Sequence, residues 1–167
     1  MFHARHRALT PRSSRERKLC RMATVQDILS AKSSKVLTTR RDATVLEAIN
    51  KMNEHGVGAL VVCEGPIVVG MFTERDVLKK VAVSDRSPRE IVVEDVMTQD
   101  VVCTGPREDL DEVRTVMKNR RFRHLPVCDE QDGHLLGLVS IGDLNAFEAS
   151  HREATIHFLS EYIYGRV

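Results

Sequence analysis

The chain repeats itself, and that decides most of what it can be. Val45 to Met52 align with Leu110 to Met117 at an offset of 65, and the same offset carries Val57 to Cys63 onto Phe122 to Cys128. The first copy then turns through Glu64, Gly65 and Pro66, while the second spends two more residues on Asp129 to Gly133. From there the offset is 67, bringing Gly70 to Asp76 onto Gly137 to Asp143. A turn is where an insertion is tolerated, so the change of offset supports the alignment.

Each copy predicts the same elements. Val45, Ala48, Ile49 and Met52 stand at helical spacing, as do Leu110, Val113 and Met117. Thr44 with Glu47, and Asp109 with Glu112, predict a capping box at each helix start. Leu60 to Val62 and Ile67 to Val69, like Leu125 to Val127 and Leu135 to Leu136, are short apolar runs of strand type on either side of a turn. A second helix opens at Thr73 or Ser140. A unit of about 55 residues buries too little surface to stand alone, so the two hairpins are expected to pack face to face with pseudo-twofold symmetry, leaving clefts at the seam. The fold class is α+β. The expected divisions are a basic tail at 1–21, repeats at 22–86 and 87–147, and a C-terminal helix at 148–167 with Phe147, Ile156, Leu159 and Ile163 as its apolar positions.

Composition narrows the function classes. With 42% apolar and 29% charged residues in 167, the chain reads as an ordinary soluble protein, and no run approaches the ~20 apolar residues of a membrane span. Residues 1–21 hold seven basic side chains against Glu16, a local +6, so the remainder carries −5 of the net +1. An acidic body argues against nucleic-acid binding. The tail fits a disordered leader, a mitochondrial transit peptide or an extension preceding a start at Met22. Cys20, Cys63, Cys103 and Cys128 lack C-x-x-C spacing and read as reduced thiols of an intracellular protein. The expected compartment is the cytoplasm, or the mitochondrial matrix if the tail is a transit peptide. No histidine spacing suggests a metal, and no nucleophile motif, P-loop or carboxylate pair suggests catalysis. Cys63 and Cys128 fall at equivalent positions and read as small apolar strand ends.

The motif G-φ-φ-[TS]-x-x-D occurs twice, as Gly70 to Asp76 and Gly137 to Asp143. A hydroxyl and a carboxylate three residues apart at a helix start can simply cap it. They also stand where free N–H groups favour a phosphate, with a carboxylate suited to a ribose diol. Two copies, each led by a glycine that permits close approach, point to a nucleotide.

These paired motifs, the openings Asp27-Ile28-Leu29 and Asp95-Val96-Met97, and the runs His55 to Val62 and Arg121 to Val127 resemble a tandem cystathionine-β-synthase (CBS) domain pair over residues 24 to about 147. The end, Glu161 to Gly165, looks like the tail of small CBS-pair proteins that carry no fused enzyme. The resemblance implies a regulatory module, not an enzyme, with no required cofactor, that binds AMP, ADP, ATP or S-adenosylmethionine, forms a homodimer and acts on a regulated protein. The alternative it leaves open is a structural interaction module. By resemblance, one cleft uses Thr73, Arg75 and Asp76 with Val102, Phe122, Arg123 and His124. The other uses Ser140 and Asp143 with Lys35, Leu37, Val57, Gly58 and Ala59. Arg75, Arg123 and His124 suggest that the first is the more basic, tighter phosphate site.

Overall fold

The computed structural model describes residues 23–32 and 35–164, with side chains after Glu153 described only at Ile156. The expectations for the basic tail at 1–21, for Cys20 and for the Leu159 and Ile163 side chains lie outside the described residues. The elements run α1 (Val25–Ala31), β1 (Thr38–Thr39), α2 (Val45–His55), β2 (Ala59–Glu64), β3 (Ile67–Thr73) and α3 (Glu74–Asp76), which continues as a π-helical segment, Val77–Val81. There follow α4 (Val93–Val96), α5 (Leu110–Arg120), β4 (His124–Cys128), β5 (Leu135–Ser140) and α6 (Ile141–Tyr164).

The duplication is visible bond by bond. β2 pairs antiparallel with β3 and β4 with β5, each ladder slipping register at the equivalent cysteine, after Val62 and after Val127. β1 runs parallel to β2 through Thr38↔Val61 and Thr39↔Val62. Its counterpart in the second copy is the single parallel bridge Thr104↔Val127. Thr44 and Glu47 close the capping box of α2 in both directions, and Gly56 ends that helix at φ 62°. Asp109 accepts from the N–H groups of Asp111 and Glu112, an N-cap alone; no return bond from Glu112 is recorded among the described residues. The expected core faces are buried: Val45, Ala48 and Met52 in α2, and Leu110, Val113 and Met117 in α5.

The two halves exchange their opening helices. One core joins α2, β2 and β3 with Ile91, Val93, Val96 and Met97, which follow the first repeat in sequence. The other joins α5, β4, β5 and α6 with Val25 and Ile28, from the start of the chain. Backbone bonds fix the exchange. Val45 N donates to Ile91 O at 2.9 Å and Val93 N to Ala43 O at 2.8 Å, while Val25 N donates to Glu108 O at 3.0 Å and Leu110 N to Ala23 O at 3.1 Å. Burying Val25, Ile28, Val93 and Val96 contributes roughly 1.5–3 kcal/mol per side chain, all of it across the repeat boundary.

The motif glycines exist for this exchange. A Cβ on Gly70 would stand 2.5 Å from Met97 Sδ, and one on Gly137 would stand 2.5 Å from Leu29 Cδ2. Leu29 and Met97 are equivalent residues of the two exchanged helices. The close approach that the glycines permit is therefore to the exchanged segments, at Leu29 and Met97. Between the halves, Leu135 and Leu138 of β5 pack on Ala59, Val61 and Met71, so the hairpins meet face to face as expected. Leu135 N also donates to Pro66 O at 2.9 Å, and Met71 N to Thr98 O at 2.9 Å, stitching the seam.

Candidate functional site

At the end of β3 the chain passes from extended backbone into α3, and Thr73 marks the change. Its hydroxyl donates to Asp76 Oδ2 at 2.6 Å, its N–H donates to the same oxygen at 3.0 Å, and Asp76 N returns a bond to the hydroxyl at 3.4 Å. Asp76 is 7% exposed, the one charged residue in the buried set of described residues. Burial of a carboxylate requires a counter-charge, and Lys80 Nζ supplies it 3.0 Å from Oδ1. The same ammonium donates to Val96 O at 2.5 Å and Met97 O at 3.3 Å, tying the motif to the end of the exchanged helix α4.

The second motif repeats the local geometry with a different counter-ion. Ser140 donates to Asp143 Oδ2 through its hydroxyl and its N–H, both at 2.7 Å, and Asp143 N returns to the hydroxyl at 3.2 Å. Lys32, just past the exchanged helix α1, donates to Asp143 Oδ2 at 2.9 Å and to Leu138 O at 3.3 Å. Burial by itself raises the Asp143 pKa, but hydrogen bonds from Lys32 and Ser140 outweigh it and hold the carboxyl below its ordinary value. Capping is thus real at both motifs.

A cavity of about 350 Å³ opens at the seam, and all seven residues assigned to the first cleft line it: Thr73, Arg75 and Asp76 from one repeat, Val102, Phe122, Arg123 and His124 from the other. Met71, Glu74, Thr98, Asp100, Val101 and Arg121 complete the wall together with Gly58. Gly58, which the resemblance assigns to the opposite cleft, borders this one. Its carbonyl accepts the Glu74 N–H that opens α3, at 3.1 Å, and this holds it beside the first motif.

The remaining assignments are spread more widely. Lys35 is exposed, and the ammonium on Asp143 is that of Lys32. Leu37 and Val57 pack against the first core, and Ala59 is buried in the inter-sheet cluster.

The charge reading of the first cleft also changes. Arg75, Arg121 and Arg123 share the wall with Glu74, Asp100 and Asp76, the last already paired with Lys80. His124 adds no firm fourth charge, since burial, and then the neighbouring Arg123, pushes its pKa down toward the neutral imidazole. Lys32 and Asp100 stand at the same place in the two openings, 68 residues apart, so extending the match of Asp27-Ile28-Leu29 with Asp95-Val96-Met97 by three residues would have found both. Among the described residues no group of three or more His, Cys, Asp or Glu is arranged to hold a metal ion. Cys63 and Cys128 are half-buried strand ends, and burial raises both thiols; Cys128, hydrogen-bonded to Cys103, is pushed up to about 12.

Two small α+β repeats that trade their opening helices and share a cleft define a tandem-repeat module, and comparison with known proteins agrees. The chain belongs to the CBS domain family, whose model matches residues 25–83 and again 93–149. It is similar to the mitochondrial CBS domain-containing protein CBSX3 of Arabidopsis thaliana, with 35% identity over 152 residues, covering 85% of this chain and 72% of the relative. A CBS-domain containing protein of Agrobacterium tumefaciens has a crystal structure that superposes with a TM-score of 0.69 at 35% identity, covering 75% of this chain and 99% of that one. A CBS domain pair solved in complex with 5′-methylthioadenosine and S-adenosyl-L-methionine shares the fold at 23% identity and a TM-score of 0.67, over 78% of this chain and 99% of that one.

Proposed function

We propose that this protein is a regulatory adenosine-ligand sensor, not an enzyme. It binds AMP, ADP, ATP or S-adenosylmethionine between its repeats and acts through conformational change on a partner protein. The observation that carries this reading is the meeting, around one cavity of about 350 Å³, of the Thr73 to Asp76 motif with Val102 and Phe122 to His124. In this reading Asp76 meets the ribose, Val102 and Phe122 flank the base, and Arg75 and Arg123 take phosphate. A fold relative solved with two adenosine compounds supports the ligand class. Ser140 and Asp143 form a second candidate site with Lys35, Leu37, Val57, Gly58 and Ala59, which a ligand enters only by displacing Lys32 from the aspartate.

One observation favours the alternative of an interaction module without nucleotide. Both Asp76 oxygens are already engaged, by Thr73 and by Lys80. Calorimetric titration of the protein with AMP, ADP, ATP and S-adenosylmethionine decides between them. Saturable binding of at least one, weakened by Asp76→Ala, is expected, and heat of dilution alone for all four would leave the interaction module. For localisation, no helix among the described residues is long and apolar enough to cross a membrane. The basic segment 1–21 and the mitochondrial relative support the matrix alternative over the cytoplasm; residues 1–21 fused to a fluorescent reporter would test it.

A further inference from the structure

Among the described residues one non-glycine has positive φ, and it lines the cleft. Arg121 ends α5 at φ 57°, in the left-handed region that sterically strains a residue bearing a Cβ. Its equivalent in the first repeat, Gly56, ends α2 at φ 62° with the same cap. Gly56 N donates to Asn53 O and Met52 O, and Arg121 N donates to Lys118 O and Met117 O. Backbone geometry alone therefore asks for glycine at both helix ends, and only the first repeat supplies it. Residues held in strained conformations cluster where a ligand is handled.

What distinguishes the two positions is the cavity. Arg121 borders it with Arg75 and Arg123, and none of the three guanidiniums has an ion-pair partner within 4.0 Å among the described residues, whereas Asp76 is already committed to Lys80. The uncommitted charges of the wall are thus three arginines against Glu74 and Asp100, a surplus of positive donors. Arg121 enters from the end of α5, a different direction from Arg75 on α3, so the two can grip separate parts of one extended anion.

We infer that Arg121 is a specificity-determining residue that takes the terminal phosphate of a nucleoside di- or triphosphate in this cleft. This rests on the adenosine-ligand reading above and narrows it to the longer phosphate chains. The test is calorimetric titration with ATP, ADP, AMP and S-adenosylmethionine of the full chain and of Arg121→Gly and Arg121→Asn, both of which tolerate positive φ. Melting temperatures are recorded alongside.

Wild-type protein is expected to bind ATP or ADP more tightly than AMP. Either variant should lose about tenfold or more in affinity for ATP, the worth of a charge-assisted hydrogen bond, while AMP changes by no more than about twofold. The melting temperature of Arg121→Gly should not fall, since glycine relieves the strain; a merely structural residue would leave the ATP-to-AMP ratio untouched. An unchanged ratio, parallel losses for both nucleotides, or a wild type that prefers AMP or S-adenosylmethionine overturns this inference and leaves the adenosine reading standing. A wild type that binds none of the four overturns both.

Discussion

Gly70 and Gly137 look alike in sequence because they do the same mechanical task, and the structure says which. Each faces a side chain of the helix borrowed from the other half, Met97 or Leu29, with no room for a Cβ. The two contacts differ in compliance, since a thioether can swing aside more readily than a branched leucine. Gly137→Ala is therefore expected to destabilise the fold by about 1–3 kcal/mol in urea denaturation, and Gly70→Ala by less. Leu29→Ala combined with Gly137→Ala should recover part of the loss, because the overlap disappears; strict additivity in that cycle would show that the two do not meet. The recurrence of the glycines is legible in one sequence. Their purpose is not, because the atom each must accommodate lies about 27 residues away in one case and 108 in the other. Asp143 illustrates the same limit. Its motif is plain in the sequence, but its ion-pair partner, Lys32, lies 111 residues away along the chain. Because the folded-state pKa of Asp143 is depressed, its contribution to stability is present above the unfolded value and lost as pH falls through the lower folded one. Lys32→Met should cost up to about 1 kcal/mol at neutral pH, the pair being partly exposed. The gap should narrow below the ordinary carboxylate value of 3.8; a gap constant across that range would assign the loss to packing instead.

Among elements, those set by local chemistry are legible and those set by exchange are not. α2 and α5 follow from a stripe and a cap, and the two hairpins from apolar runs broken at turns where Gly65 and Gly133 take positive φ. Periodicity also predicts the helix after Thr73 and the one after Ser140 that runs to Tyr164, but it is blind to the π-helical continuation of the first, Val77–Val81. Nor does it report on which half α1 and α4 lie, because an apolar stripe names a face and not its partner. The exchange has a measurable consequence. Ile28 is 4% exposed, and it belongs to the core of α5, β4 and β5. Ile28→Ala should cost about 2–5 kcal/mol. In native-state hydrogen exchange, its protection loss should be greater in residues 110–144 than in residues 45–81, although Ile28 precedes the first repeat. A loss concentrated in residues 45–81 would mean that α1 packs on its own repeat.

For the whole molecule, exchange of the opening helices makes each half's core depend on a segment covalently continuous with the other, so neither half loosens without disturbing both. The cavity in the seam opens onto that shared structure. It is lined by the α3 motif of one half and the start of β4 in the other, and Lys80 couples the α3 motif to the end of α4. A bound nucleotide shifts the equilibrium between arrangements of the halves only by its difference in affinity for them, so a cleft that closes on its ligand transmits more than one that merely fits. At a nucleotide concentration one hundred times Kd, binding to the native state alone adds about 2.7 kcal/mol, which for a chain of this size is roughly 5–11 °C in melting temperature. Hydrogen exchange at the same saturation should gain protection on both sides of the seam, around Thr73–Asp76 and around Phe122–His124. It should also gain protection in α4, none of whose residues lines the cavity but whose end lies behind the Lys80 contact. Protection confined to Thr73–Asp76 would mean that the ligand rests on one repeat and has no lever on the other, and the module would then sense without transmitting.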